Sequence, residues 1–174
     1  MASALIVIDV QNYFVRGSSR SLPRKIAAFV RKNRYDVVLF TKFVNREGSN
    51  FFRTLGWKKC TRPPETDLHP ALTALARKHH VFEKSTYSAF KSPGLVAFLK
   101  KHRVTSVALC GTNTDACVLA SAFEGFDLGY RMEILTDLCS SRGGPGLHAS
   151  AGKIIRENLR RGKATRTRGA ASRP

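Results

Sequence analysis

The chain has 174 residues, 43% of them hydrophobic, with 30 lysines and arginines against 12 acids and a formal charge of +18. That length suits one domain with a real core, which excludes a disordered chain, and no apolar run is long enough to span a bilayer. The four cysteines, Cys60, Cys110, Cys117 and Cys139, are widely spaced with no C-x-x-C pair, which argues against a disulfide scaffold or zinc knuckle and for free thiols in a reducing compartment.

Residues 4–9, Ala-Leu-Ile-Val-Ile-Asp, form a near-continuous apolar run ending in a carboxylate, the pattern of a central strand buried on both faces. In open α/β sheets ligands collect at the carboxyl ends of such strands, where Asp9 stands; the plainer role for one acid there is a cap. The N-terminus enters this strand almost at once, without the basic region and cleavage site of a secretory signal, and reads as cytoplasmic. Residues 17–20 are a loop. Residues 22–33 read as a helix with Pro23 near its start and Ile26, Ala27, Phe29 and Val30 facing inward. Residues 35–43 are the second strand. From 44 to 66 regularity is lost, and this segment carries Phe51, Phe52, Trp57 and Pro63-Pro64. Long loops of this type shape or cover sites; the aromatics either pin the loop to the body or touch a substrate.

Residues 68–79 read as a helix, 81–84 as a short third strand ending in Lys84, 93–103 as a helix and 104–110 as a fourth, buried strand. The segment 111–118, Gly-Thr-Asn-Thr-Asp-Ala-Cys-Val, comes next. Ala116, Val118, Leu119, Ala122, Phe123 and Phe126 fit the buried side of a helix, with Asp115 at its positive end. Cys117 therefore lies where a strand turns into a helix, beside unpaired backbone N–H groups that lower a thiol's pKa and bind an oxyanion. Residues 131–137 are the fifth strand, with Gly129 as a helix stop before it. Gly143-Gly144-Pro145-Gly146 lacks the Walker lysine and serine and reads as a turn before a last helix over 145–161. Strands alternate with helices throughout, which argues a three-layer α/β/α domain over 1–161 with a parallel sheet of five or six strands. Residues 162–174 read as a basic, flexible tail. A solvated extension is favoured there over a polyanion-binding arm, because no aromatic residues are interleaved for base stacking.

Three strand ends thus carry Asp9, Lys84 and Cys117. Parallel strands end on one edge of a sheet, where a carboxylate accepts the thiol proton and an ammonium favours both anions, a plausible nucleophilic site. The blocks at 5–14 (Leu-Ile-Val-Ile-Asp-Val-Gln-Asn-Tyr-Phe), 84–90 (Lys-Ser-Thr-Tyr-Ser-Ala-Phe) and 111–118 resemble the isochorismatase-like cysteine hydrolases, the group that includes nicotinamidases and N-carbamoylsarcosine amidohydrolase. Thr136, Asp137 and His148 add weaker support, and the resemblance runs to about Arg161. It implies a Rossmann-like sheet of order 3-2-1-4-5, a catalytic triad of Asp9, Lys84 and Cys117, a cis peptide between Thr112 and Asn113, and an oxyanion hole from the N–H groups of Asn113 and Cys117. Gln11, Phe14, Phe43, Tyr87 and Phe90 are candidates for a pocket around a small planar substrate, the aromatics among them equally for core. Metal-dependent nicotinamidases place an Asp-x-His pair where this chain has Phe43 and Asn45, so neither a metal site nor another cofactor is expected.

The function implied is a metal-free cysteine hydrolase that cleaves a C–N bond of a small amide, ureide or imide through a thioester. Isochorismate-type vinyl ether hydrolysis, and a non-catalytic relative whose basic surface binds nucleic acid or another polyanion, stay open as alternatives. The family also implies a homo-oligomer, dimer or tetramer, and the lack of a bilayer-spanning apolar run leaves no membrane partner expected.

Overall fold

The most apolar run of the chain becomes the middle strand of the sheet. In a computed structural model describing residues 2–32, 34–76 and 79–159, β1 (Ala2–Ile8), β2 (Val37–Phe43), β3 (His80–Lys84), β4 (Val104–Thr112) and β5 (Arg131–Ser140) form one all-parallel sheet in the order β3-β2-β1-β4-β5. Ile6 of β1 stands opposite Leu39 of β2 and Leu109 of β4, and all three are fully buried. A strand paired on both edges and covered on both faces has no polar side to present, which is why its sequence does not alternate.

The helices are α1 (Leu22–Arg31), α2 (Asn50–Arg53), α3 (Pro70–Ala76), α4 (Pro93–Lys101), α5 (Leu119–Asp127) and α6 (Pro145–Leu159). In α1, Pro23 occupies the first turn, where its missing N–H costs nothing, and Leu22, Ile26, Ala27 and Val30 recur at helical spacing and are buried. α1 packs on α3, and α5 on α6. The irregular segment at 44–66 is ordered: it holds the single turn of α2, whose N-cap Ser49 accepts from the Phe52 N–H, and a cis Pro63-Pro64 bond. β4 and β5 run two and three residues past their predicted ends because Gly111 and Thr112 pair with Cys139 and Ser140. No helix among the described residues is long and apolar enough to cross a membrane. The basic tail at 162–174, where a sixth strand would have to fall, lies outside the described residues.

Because every strand points the same way, the residues after β1, at the end of β3 and after β4 meet at one edge. There the two central strands approach unusually closely: Gly111 has φ +123° and its Cα faces the Ile8 backbone.

Candidate active site

Asp9 follows β1 with φ 49°, a left-handed conformation that aspartate tolerates better than most residues. The Thr41 hydroxyl accepts from the Asp9 N–H (3.2 Å) and donates to Asp9 Oδ1 (2.7 Å), and Thr112 Oγ1 donates to the Asp9 carbonyl (2.7 Å). The other carboxylate oxygen, Oδ2, lies 2.6 Å from Lys84 Nζ, both side chains being fully shielded from solvent. Lys84 also donates to the carbonyls of Thr86 (2.7 Å) and Tyr87 (3.0 Å) and reaches Cys117 Sγ at 3.5 Å. A desolvated ion pair persists only when its remaining protons and lone pairs are engaged in this way. Burial is the largest influence on the Lys84 ammonium and would lower its pKa, but the charges and hydrogen bonds of Asp9 and Cys117 together outweigh it and the net shift is upward.

Cys117 occupies a π-helical turn, Thr114–Val118, between β4 and α5. The Asn113 carbonyl accepts from the N–H groups of Ala116 and Val118, on either side of Cys117 (both 3.1 Å), and the Thr112–Asn113 peptide is cis. Three further contacts hold the turn. Ser121 Oγ donates to the Cys117 carbonyl (2.6 Å) while accepting from the Ala89 N–H (2.9 Å). Thr114 Oγ1 meets His148 Nδ1 of α6 at 2.8 Å, and Ser141 Oγ donates to Asp115. Sequence position alone suggests a thiol acidified by a helix start; the structure reverses that expectation. Burial, the largest influence, pushes Cys117 up to about 12; Lys84 pulls it down, and Asp9 pushes it up again. One buried cation faces two acids and is already matched by the first, so the resting sulfur holds its proton.

Burial also pushes Cys60 and Cys139 up to about 12 and Cys110 well above the ordinary range. Unfolded thiols release their protons near ~8.5, so above about pH 9 the unfolded chain binds fewer protons than the folded one. Stability must then fall as pH rises, by roughly 1 kcal/mol per pH unit for each such thiol. Lys84, with its raised pKa, acts in the same direction further into alkali. Thermal unfolding followed from neutral pH upward is expected to show a midpoint that drops above about pH 9; a flat midpoint up to about pH 11 would refute the assignment of these thiols as buried and neutral.

Cys117 opens onto a cavity of about 850 Å³ whose apolar wall includes Tyr13, Phe14, Phe43, Phe51, Trp57 and Tyr87, a size suited to a small molecule. The rings meet edge-on, with centroids 5.0 Å apart for Phe43 and Phe51, 4.8 Å for Phe51 and Tyr87, and 5.6 Å for Tyr13 and Trp57. A second hollow of about 500 Å³ shares Phe51, Leu55 and Tyr87 with it.

Of the five pocket candidates named from sequence, Phe14, Phe43 and Tyr87 line the cavity and two do not. Gln11 is fully buried behind the wall. Its Nε2 donates to the carbonyls of Phe43 and Thr66 (both 2.8 Å) and its Oε1 accepts from the Phe43 N–H (2.7 Å), so it clamps the end of β2 to the loop. Phe90 stacks on Tyr130 at 5.4 Å and abuts Gly125, on the core side of α5. Phe51 and Trp57 pin the loop by packing on Phe43, and they also face the cavity. Tyr13, Arg16 and Arg142 also line it and are missed by the sequence reading; Arg142 precedes a glycine-rich turn that carries no local sign of a binding role.

The position of the nicotinamidase metal ligands does not fit a metal here. Phe43 offers a hydrocarbon ring, with Lys84 Nζ 5.1 Å from its centroid. Asn45 commits its amide to the carbonyls of Trp57 (2.8 Å) and Lys59 (3.1 Å), and its oxygen accepts from Ser49 Oγ (2.8 Å). No group of three His, Cys, Asp or Glu among the described residues is placed to hold a metal ion.

A family model described as Isochorismatase domain matches residues 3–164. The streptothricin hydrolase of Streptomyces noursei is 29% identical over 140 residues, 77% of this chain and 48% of that protein, so the chain spans about half the length of that relative. The nicotinamidase/pyrazinamidase of Mycobacterium tuberculosis is 28% identical over 158 residues, covering 78% of this chain and 84% of that one. Among solved structures, the pyrazinamidase/nicotinamidase of Streptococcus mutans superimposes with a TM-score of 0.79 at 27% identity, over 91% of this chain and 97% of that one.

Proposed function

The chain belongs to the isochorismatase domain family, and from that premise we propose that it is a metal-free cysteine amidohydrolase acting on a small amide, ureide or imide. The observation that carries this reading is the placement of Cys117 Sγ 3.5 Å from Lys84 Nζ, itself 2.6 Å from Asp9, at the floor of the aromatic cavity. The hydrolases of amides among its relatives support the reaction class.

Asp9, Lys84 and Cys117 are the catalytic residues in this mechanism. Since the resting thiol is neutral, proton transfer accompanies attack: Sγ bonds to the substrate carbonyl carbon as its proton passes to Asp9, the carboxylate paired with the same Lys84 ammonium that reaches the sulfur. The carbonyl oxygen becomes an anion, held by the N–H groups of Asn113 and Cys117 as an oxyanion hole. Collapse breaks the C–N bond, the leaving nitrogen takes the proton from Asp9, and a thioester remains. Asp9 then deprotonates a water that attacks the thioester, releasing a carboxylic acid and returning the proton to sulfur. Lys84, 2.6 Å from Asp9, balances the carboxylate charge at both ends of the cycle.

The test is a panel of primary amides and ureides assayed for ammonia release, with intact-protein mass spectrometry of acid-quenched reactions. An adduct of acyl mass on Cys117, and loss of both adduct and turnover in Cys117→Ala, are expected. Turnover that survives Cys117→Ala, or an enol ether substrate cleaved without an adduct, would overturn the thioester mechanism.

A further inference from the structure

The cavity places an unengaged proton next to uncompensated positive charge. Tyr13 is 6% exposed, and its hydroxyl accepts from Trp57 Nε1 and from Arg142 Nη1, each at 3.2 Å. A phenol has two acceptor positions and one proton. Indole and guanidinium groups only donate, so the Tyr13 proton points to a third group, and no hydrogen bond to an acceptor takes it up among the described residues.

The guanidinium carbons of Arg142 and Arg16 lie 4.6 and 5.5 Å from the Tyr13 ring centroid. Neither arginine pairs with a carboxylate among the described residues, whose ion pairs involve Lys42, Arg46, Lys84 and Lys91. No Asp or Glu lines the cavity, and the Lys84 charge is answered by Asp9. The Arg142 backbone is set in place: its N–H donates to Asn113 Oδ1 at 2.9 Å, tying the arginine to the turn that presents Cys117.

We infer that the cavity selects an amide that also bears a carboxylate on a flat, largely apolar body, with the carboxylate taking the Tyr13 proton and a charge-assisted hydrogen bond from Arg142 while Arg16 adds attraction at the rim. This substrate class rests on the hydrolase reading above and names the specificity of that same site. Tyr13 and Arg142 are its binding residues. A neutral amide of the same shape gains the aromatic walls but leaves both donors unanswered.

Binding is measured without turnover on the Cys117→Ala protein, titrated with benzoate and with benzamide. The fluorescence of Trp57, the single tryptophan, and calorimetry report in parallel. Benzoate is expected to bind about tenfold more tightly than benzamide. That preference should fall to about threefold or less when Arg142→Gln or the isosteric Tyr13→Phe is added, and shrink as salt rises from about 50 to about 500 mM. Equal binding of the two ligands, binding of neither, or a benzoate preference that survives both substitutions overturns the inference. Because the titration does not use the thiol, the two readings separate: amide hydrolysis without a benzoate preference rejects the anionic substrate class alone, and a benzoate preference with no amide hydrolysed by the parent protein rejects the hydrolase alone.

Discussion

Lys84→Met is expected to destabilise the protein by about 3 to 5 kcal/mol and to stop turnover. Methionine fills nearly the same space, so the loss does not come from a cavity. It comes from the Asp9 carboxylate, which is fully shielded from solvent and whose counter-ion stands 2.6 Å away. Removing one member of such a pair leaves a charge that neither water nor protein answers. The double variant Asp9→Asn/Lys84→Met buries no charge at all and is expected to regain most of the lost stability while remaining inactive, since it has no proton acceptor for Cys117. Urea unfolding followed at Trp57, on the parent, both single variants and the double variant, measures the coupling. A Lys84→Met protein as stable as the parent would refute the buried ion pair, and an active double variant would refute its catalytic role.

Gly111→Ala is expected to prevent folding, at a cost of about 4 kcal/mol or more. Two effects act together. The residue has φ +123°, a conformation that side chains other than glycine rarely adopt, and an added methyl group would overlap the Ile8 carbonyl oxygen and come 2.8 Å from the Ile8 nitrogen. Backbone cannot rotate out of the way as a side chain can. β1 would have to part from β4 at Ile8, one residue before Asp9, whose carbonyl is bonded to Thr112. Gly146→Ala is the matched control: it lies in α6 with open space around it, and alanine there is expected to leave stability unchanged or raise it by up to about 1 kcal/mol. Soluble yield and thermal unfolding of the two variants decide the matter, and a Gly111→Ala protein within about 1 kcal/mol of the parent would sink the close-approach argument.

How far the sequence alone reaches depends on which interactions are local. A strand buried on both faces is apolar at every position, so β1 and the core of β4 are legible from their own residues, and the strand-helix alternation then dictates a parallel sheet. Once the sheet is parallel, the polar residues that interrupt or end the apolar runs, Asp9, Lys84 and Cys117, must share an edge, and that too can be argued without coordinates. Other features have no local signature. Gln11 lies two residues from Asp9 in the same motif, yet it faces away from the cavity to clamp Phe43 and Thr66, because the backbone turn at Asp9 redirects the residues beyond it. Phe90 belongs to the same block as Tyr87, but it packs under α5. The ionisation of Cys117 is the difference between burial and a single cation shared with Asp9, a balance that depends on distances across three strands. The meeting of Tyr13 with Trp57 and Arg142, 44 and 129 residues away, is likewise decided only by tertiary structure, since nothing in a pattern read along the chain records which surfaces long-range packing will bring together.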